Sequence, residues 1–224
     1  MGLIHAGMAQ HGIAVFAHEQ TKGKGQRNKQ WLSAPNKNII LTLVVEPFGL
    51  RTNQLFLLSM SVAIGVHKFF NSHAGGKTKI KWPNDMYWRD RKAGGILIEN
   101  IIQGEEWKYA IIGIGININQ TDFGEFNKAI SLKQITGKTY DTMKMSRQLL
   151  VFLDASFREL VTDVGSVISK YHKHLYKWKK KIHFKKDNQN FEGFLKEVRA
   201  DGMLIVQNDK EDAFKVGEIE WIDR

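Results

Sequence analysis

Cysteine is absent from this chain of 224 residues. That excludes disulfide bridges and thiolate metal sites, and it fits a reducing, cytoplasmic setting. No stretch approaches the roughly 18 consecutive apolar residues of a membrane span, and no secretory signal pattern opens the chain, so a soluble protein without a membrane partner is expected. There is no internal repeat and no low-complexity tract. The G-x-S-x-G elbow of serine hydrolases is missing. Gly75-Gly76-Lys77-Thr78 ends like a P-loop, but Asn71 stands where its first glycine belongs, and a strand pattern follows instead of a helix. His172 and His174 have no carboxylate pair nearby, which makes a poor zinc site; they read as solvent-exposed, and no metal ligand is assigned. Acidic residues are the minority, 23 against 33 Lys and Arg, for a net charge of +10. Only Lys177–Lys181 is a dense basic run. Such a balance suits an anionic substrate as well as nucleic acid, and does not choose between them.

What is present is enough for a substantial core: 42% hydrophobic residues, with 13 Phe. The apolar runs Ile13–Ala17 and Ile39–Val45 read as strands. Thr52–Phe70 reads as a buried helix capped by Thr52, with Leu55, Leu58, Val62 and Val66 at helical spacing. Strands are expected at Thr78–Trp82, Gly95–Glu99 and Trp107–Ile118, and helix from Met143 to about Leu175 with a break near Gly165. From His183 to Asp223 short strand patterns alternate with turns at Asp187-Asn188, Ala200-Asp201-Gly202 and Asn208-Asp209-Lys210, the texture of a small antiparallel barrel. The boundary falls near Tyr176, giving units 1–176 and 177–224. Phe69, Phe70, Trp178 and Phe184 are expected in the core or at the seam.

Four segments carry the chemistry. Glu19–Trp31 is a basic glycine loop between two strands: Gly23 and Gly25 free the backbone, and Lys22, Lys24, Arg27 and Lys29 supply charge for a phosphate. In Lys81-Trp82-Pro83-Asn84-Asp85 the proline ends a strand and presents Asn84 and Asp85 at a rim, with Trp82 packed behind. Arg91–Glu99 sets Lys92 before Gly94 and Gly95, where its ammonium can stabilise charge developing on an oxygen. Gly113–Asn119, GIGININ, places glycines inside a strand, where they admit a ligand or another backbone. Each has a plain alternative: a lysine-rich surface turn, a Pro-Asn-Asp turn, a solvated lysine, a bulged core strand.

In this order and spacing the four segments resemble biotin protein ligase of the monofunctional type, a likeness that runs from about Gly12 to Asp223. The resemblance implies an α+β fold, a mixed sheet with helices like that of class II aminoacyl-tRNA synthetases, plus a small SH3-like C-terminal barrel. It implies ATP and biotin as substrates with Mg²⁺: biotin is activated as biotinyl-5'-AMP, then passed to a lysine of a biotin carboxyl carrier protein. A loop that closes over the labile adenylate protects it from water. By position, Gln20 matches a biotin contact. Gly23, Lys24, Gly25, Gln26 and Arg27 match the loop that orders over biotin and phosphate, and Trp31 the wall on the adenine side. Lys92 matches the lysine between carboxylate and phosphate. Asp85 is the residue to orient or deprotonate the acceptor lysine, and Asn117 a nucleotide contact. Asn84, Gly94, Gly95 and Gly115 complete the binding set.

Two departures from the family stand out. Its loop usually reads Gly-Arg-Gly-Arg-Arg-Gly, whereas this chain has Gly23-Lys24-Gly25-Gln26-Arg27-Asn28, with Gln26 replacing an arginine. The family's upstream Ser-Thr-Asn segment has no counterpart in Met1–Gln10. No N-terminal helix-turn-helix is seen, so no DNA partner is expected; a homodimer through a sheet edge is possible. Three alternatives stay open at this point. One is a lipoate-protein ligase, which shares the fold and the adenylation chemistry. Another is a copy that binds ligand or carrier without turnover. The third is a nucleic-acid binder.

Overall fold

A computed structural model describes residues 7–26 and 30–222. Its first unit is a six-stranded sheet in the order β1-β2-β6-β5-β4-β3, every neighbouring pair antiparallel. The strands are β1 (Ala14–Phe16), β2 (Ile39–Val45), β3 (Thr78–Lys81), β4 (Asp85–Trp88), β5 (Arg91–Gln103) and β6 (Glu106–Ile116). Among the described residues, helices α1 (Leu55–Ala74), α2 (Leu132–Thr136), α3 (Thr142–Thr162) and α4 (Val164–His174) belong to the same unit.

The alternation of β2, β5 and β6 explains the layering. Leu41, Leu43, Ile96, Ile112 and Ile114 point to one face and join the core with α1. Helix α1 is apolar around most of its circumference because it lies between the sheet and α3. By length and composition it could cross a membrane, yet most of it is buried inside the protein. A Cβ on its Gly65 would come within 2.9 Å of Leu153 Cδ2, so glycine sets the close crossing with α3. Ser61 Oγ donates to Ser156 O (2.8 Å) across the same crossing. Thr52 is not the cap: one 3₁₀ turn, Thr52–Gln54, precedes α1, and the Gln54 amide oxygen accepts the Arg51 N–H (3.0 Å). The expected break falls at Asp163, whose carboxylate accepts the Ser166 N–H (2.8 Å) and so starts α4.

The C-terminal unit is a five-stranded antiparallel sheet, β10-β9-β8-β7-β11. It is built from β7 (Lys181–Lys186), β8 (Gln189–Val198), β9 (Leu204–Gln207), β10 (Glu211–Phe214) and β11 (Glu220–Ile222). All three expected turns separate strands. Asp187 (φ 46°) and Asn188 (φ 65°) form the tight β7–β8 turn that their short polar side chains tolerate. The SH3-like character of this unit stays an implication of the resemblance. Phe69, Phe70 and Phe184 are fully buried. His172 and His174 are not the solvated side chains expected. Nε2 of His172 accepts the Val198 N–H (3.0 Å), and His174 stacks on the buried His67 at 4.0 Å.

The two units are joined by direct contacts. The Tyr176 N–H donates to Ile80 O (2.7 Å), extending the edge of β3. The Trp82 indole donates to Gly202 O (3.1 Å). Lys81, almost fully buried, lies 4.8 Å from the Tyr87 ring, 5.6 Å from Tyr176 and 5.2 Å from Trp221.

Candidate active site

The sheet face away from α1 is nearly bare in one row. Register places Ile40 opposite Gly115, Gly115 opposite Gly95, and Gly95 opposite Asp85. The next row is Thr42, Gly113 and Leu97. Because a pleated strand alternates faces, Gly113 and Gly115 of GIGININ and Gly95 of β5 meet on this one side while their apolar neighbours serve the core. The result is a cavity of about 840 Å³.

Lys92 reaches this floor through a break in strand regularity. Three residues before Gly95, it would face the opposite side of an uninterrupted strand. A bulge shifts the β4–β5 register so that Met86 faces Gly94 while Tyr87 faces Lys92. The extra residue, Ala93, turns into the core with no exposure, and Lys92 is re-aimed onto the face of Asp85 and Gly95. Its ammonium pairs with Asp85 Oδ1 at 2.6 Å, both side chains about one third exposed. A Cβ on Gly95 would sit 3.4 Å from Asp85 Oδ1 and 3.6 Å from Lys92 Nζ, so the pair rests directly over that glycine. The Lys92 backbone is clamped as well: its N–H donates to Lys128 O (2.7 Å) and its carbonyl accepts from Ile130 (2.9 Å).

Opposite, the glycine loop folds back on itself. The Trp31 N–H donates to Gly23 O (3.0 Å), and Lys24 bridges to Gln30. A Cβ on Gly23 would meet Trp31 O at 2.2 Å, so this closure requires glycine. The Trp31 ring lies on the bare floor: a Cβ on Gly115 would fall 2.5 Å from its Cε2. Lys92 Nζ stands 6.0 Å from the same ring. The indole Nε1 of Trp31 is buried and has no hydrogen-bond partner among the described residues, a donor left over the floor.

Of the residues singled out in the sequence, Gln20, Lys24, Gly25, Gln26, Trp31, Asn84, Asp85, Lys92, Gly95, Gly115 and Asn117 line this cavity. Arg27 lies outside the described residues. Gly23 and Gly94 are not on its wall. Gly23 serves loop closure, and a Cβ on Gly94 would meet the Gly115 carbonyl at 2.8 Å, so Gly94 serves strand packing. Two asparagines carry structural bonds. Asn84 donates through Nδ2 to Ile96 O and accepts the Ile96 N–H at its carbonyl (3.1 Å). Asn117 Nδ2 donates to Ile130 O (3.2 Å) and Lys92 O (3.4 Å), tying the end of β6 to the lysine segment. Asp85 begins β4 rather than standing in a rim turn. Sequence reasoning missed Tyr87, Gln120, Phe123 and Phe126, and the C-terminal Val216, Ile219 and Trp221, all on the wall. The last three come from the other unit, and no local pattern announces such a contact.

A small mixed cavity with a cation–carboxylate pair, a glycine floor and a folded basic loop can hold an acid and a phosphate side by side. Among the described residues no group of three His, Asp or Glu could hold a metal ion.

The sequence pattern that defines the biotin/lipoate A/B protein ligase family matches residues 4–117. The bifunctional ligase/repressor BirA of Bacillus subtilis is 34% identical over 160 residues, 69% of this chain and 48% of that protein. The biotin–[acetyl-CoA-carboxylase] ligase of Paracoccus denitrificans is 34% identical over 108 residues, 46% of this chain and 43% of its own. The chain thus spans about half the length of these curated relatives. A solved biotin protein ligase from Aquifex aeolicus, in complex with biotin and ATP, superposes with a TM-score of 0.81 at 22% identity, covering 96% of this chain and 91% of that one. The Leishmania major ligase with biotinyl-5-AMP gives 0.65 at 23%, covering 99% and 92%. At that identity both establish the fold alone.

Proposed function

The chain belongs to the biotin/lipoate A/B protein ligase family, and from that premise we propose that it is an ATP-dependent biotin ligase acting on a carboxylase carrier protein. The observation that carries this reading is Lys92 held against Asp85 at 2.6 Å over the glycine floor and beneath Trp31. The names of the relatives supply the substrates, biotin and the carrier of acetyl-CoA carboxylase.

In the first step a biotin carboxylate oxygen bonds to the α-phosphorus of ATP, and the bond to the β-phosphate bridging oxygen breaks, releasing pyrophosphate. Mg²⁺ enters with the triphosphate as part of that substrate. Lys92 is the cation between the two approaching anions; it lowers their repulsion and stabilises charge building on the phosphoryl oxygens. The Lys24 loop covers the product and excludes water. In the second step the acceptor lysine amine attacks the acyl carbon, and AMP leaves. Asp85, already paired with a cation in the free protein, exchanges Lys92 for the incoming amine and takes its proton. Gln20, Gln26, Trp31 and Gly115 make the binding wall.

Incubation of the purified protein with ATP, Mg²⁺ and biotin, with lipoate in a parallel tube, tests the reading by mass spectrometry. Biotin-dependent biotinyl-adenylate and pyrophosphate are expected. Lipoyl-adenylate alone would move the chain to the lipoate branch of the family, and no adenylate from either acid would leave a binding protein.

A further inference from the structure

The dense basic run of the linker is not used by the cavity described above. It belongs to a second one of about 470 Å³, on the far side of Tyr176. Lys77 and Lys79 reach it from the residue before β3 and from the start of that strand, Arg89 from the β4–β5 turn, Lys173 from the last turn of α4, and Lys177, Lys180 and Lys181 from the linker and the first residue of β7. Seven cations from four places in the chain therefore converge on one concavity. Like charges so gathered repel one another. Among the described residues that line it, Asp90 is the one carboxylate, and it accepts the Tyr176 hydroxyl at 2.5 Å. Lys181 is paired with Glu192. Lys79 Nζ reaches Lys173 O at 3.4 Å, which answers the partial negative charge of the α4 C-terminus.

Two of the cationic residues hold left-handed backbone, Arg89 at φ 52° and Lys177 at φ 56°, an uncommon choice for side chains of this size. Their heads are steadied on rings: the Arg89 guanidinium lies 4.5 Å over Trp88, and the Lys177 ammonium 5.1 Å over Tyr176. The neighbouring His174 is held below its ordinary pKa by burial first and then by Lys79 and Lys173, consistent with a positive local field. The cavity is too small for a folded partner, and its aromatic floor and ring of ammonium groups suit several phosphoryl oxygens at once.

We propose that this cavity is a binding site for a phosphate-rich anion, an oligophosphate carrying three or more negative charges. It is separate from the Lys92 cavity and does not rest on the activity proposed for it. The oligophosphate can be free or part of a nucleic-acid backbone.

The test is isothermal titration with inorganic tripolyphosphate at low salt. It compares the intact protein, Lys77→Glu/Lys180→Glu and Lys92→Ala, with Lys77→Gln/Lys180→Gln as a milder second variant. Lys77 and Lys180 are both exposed, so the fold is expected to survive, and thermal melts verify it. The intact protein and Lys92→Ala should bind alike. The Glu variant should bind at least about tenfold more weakly and the Gln variant less so, with affinity falling as salt rises. A single-stranded oligothymidylate that competes in the intact protein would place the phosphates on a nucleic acid; failure to compete would place them on a free anion. Unchanged binding in the Glu variant, loss of binding in Lys92→Ala alone, or no binding at low salt would each overturn the proposal.

Discussion

Gly94 and Gly95 are neighbours on β5, and they serve opposite faces of the sheet. A side chain on Gly94 would strike the Gly115 carbonyl at 2.8 Å, backbone that cannot yield. A side chain on Gly95 would find ordinary contacts, at 3.4 and 3.6 Å, with Asp85 and Lys92. One glycine lets two strands approach, and the other keeps open the place where chemistry is proposed. The same division runs along β6, where Ile112 and Ile114 fill the core while Gly113 and Gly115 leave the floor bare. Binding space on this sheet is made by omitting side chains from one face, and stability comes from packing the other. The two functions are therefore separable by substitution.

The sharpest separation is Lys92→Ala. Loss of a charge stabiliser at the reacting oxygens should lower adenylate formation by about 10²–10³-fold. Stability should barely change, because the pair with Asp85 is about one third exposed and such pairs contribute on the order of 1 kcal/mol or less. Ile112→Ala is the converse. It empties a fully buried site and should cost about 2–5 kcal/mol in denaturant unfolding, while the protein that remains folded keeps its KM for biotin.

A pH series separates the faces without mutation. His67 packs in α1 on the core side, and its pKa is lowered from 6.5 to about 4, by burial first and then by His174 and nearby lysines. A folded-state pKa below the unfolded one means the unfolded chain binds the extra proton. Stability should therefore be flat above pH 6.5 and fall as pH drops from there toward 4, by about 3 kcal/mol for this group. His67→Phe should flatten that fall.

Gly115→Val places a side chain where the Trp31 ring rests. Because the atom met belongs to a loop side chain, the fold should persist while Trp31 is displaced. Adenylate formation should drop about 10²-fold, the scale of an ångström misplacement. Gly94→Ala is the smallest of the set. It should lower stability by about 1–3 kcal/mol through overpacking and leave turnover of the folded fraction unchanged.

Much of this division was legible in the sequence. Strand Ile39–Val45 was read to the residue, and so were the turns of the C-terminal unit, because alternation and turn residues are local signals. The glycines of GIGININ pointed to the open floor, since admitting a ligand or another backbone is their usual use inside a strand, with a bulged core strand as the alternative. The rest depended on contacts between distant segments. The bulge at Ala93 that turns Lys92 toward Asp85 follows from pairing with β4, a strand hidden by the turn-like Pro83-Asn84. Asn84 and Asn117 looked free for ligand because their carbonyl partners, Ile96, Lys92 and Ile130, come from other elements. The C-terminal wall of the cavity was invisible for the same reason. Arg27 is outside the described residues, and its role stands as the resemblance implies.

The most direct test is biotin-dependent exchange of labelled pyrophosphate into ATP, measured side by side for the intact protein, Gly115→Val and Ile112→Ala at a temperature where all three are folded. Exchange in the intact protein and in Ile112→Ala, with its near loss in Gly115→Val, is the predicted result. Equal exchange in all three, or none in the intact protein, would contradict the assignment of biotin activation to the bare face of the sheet.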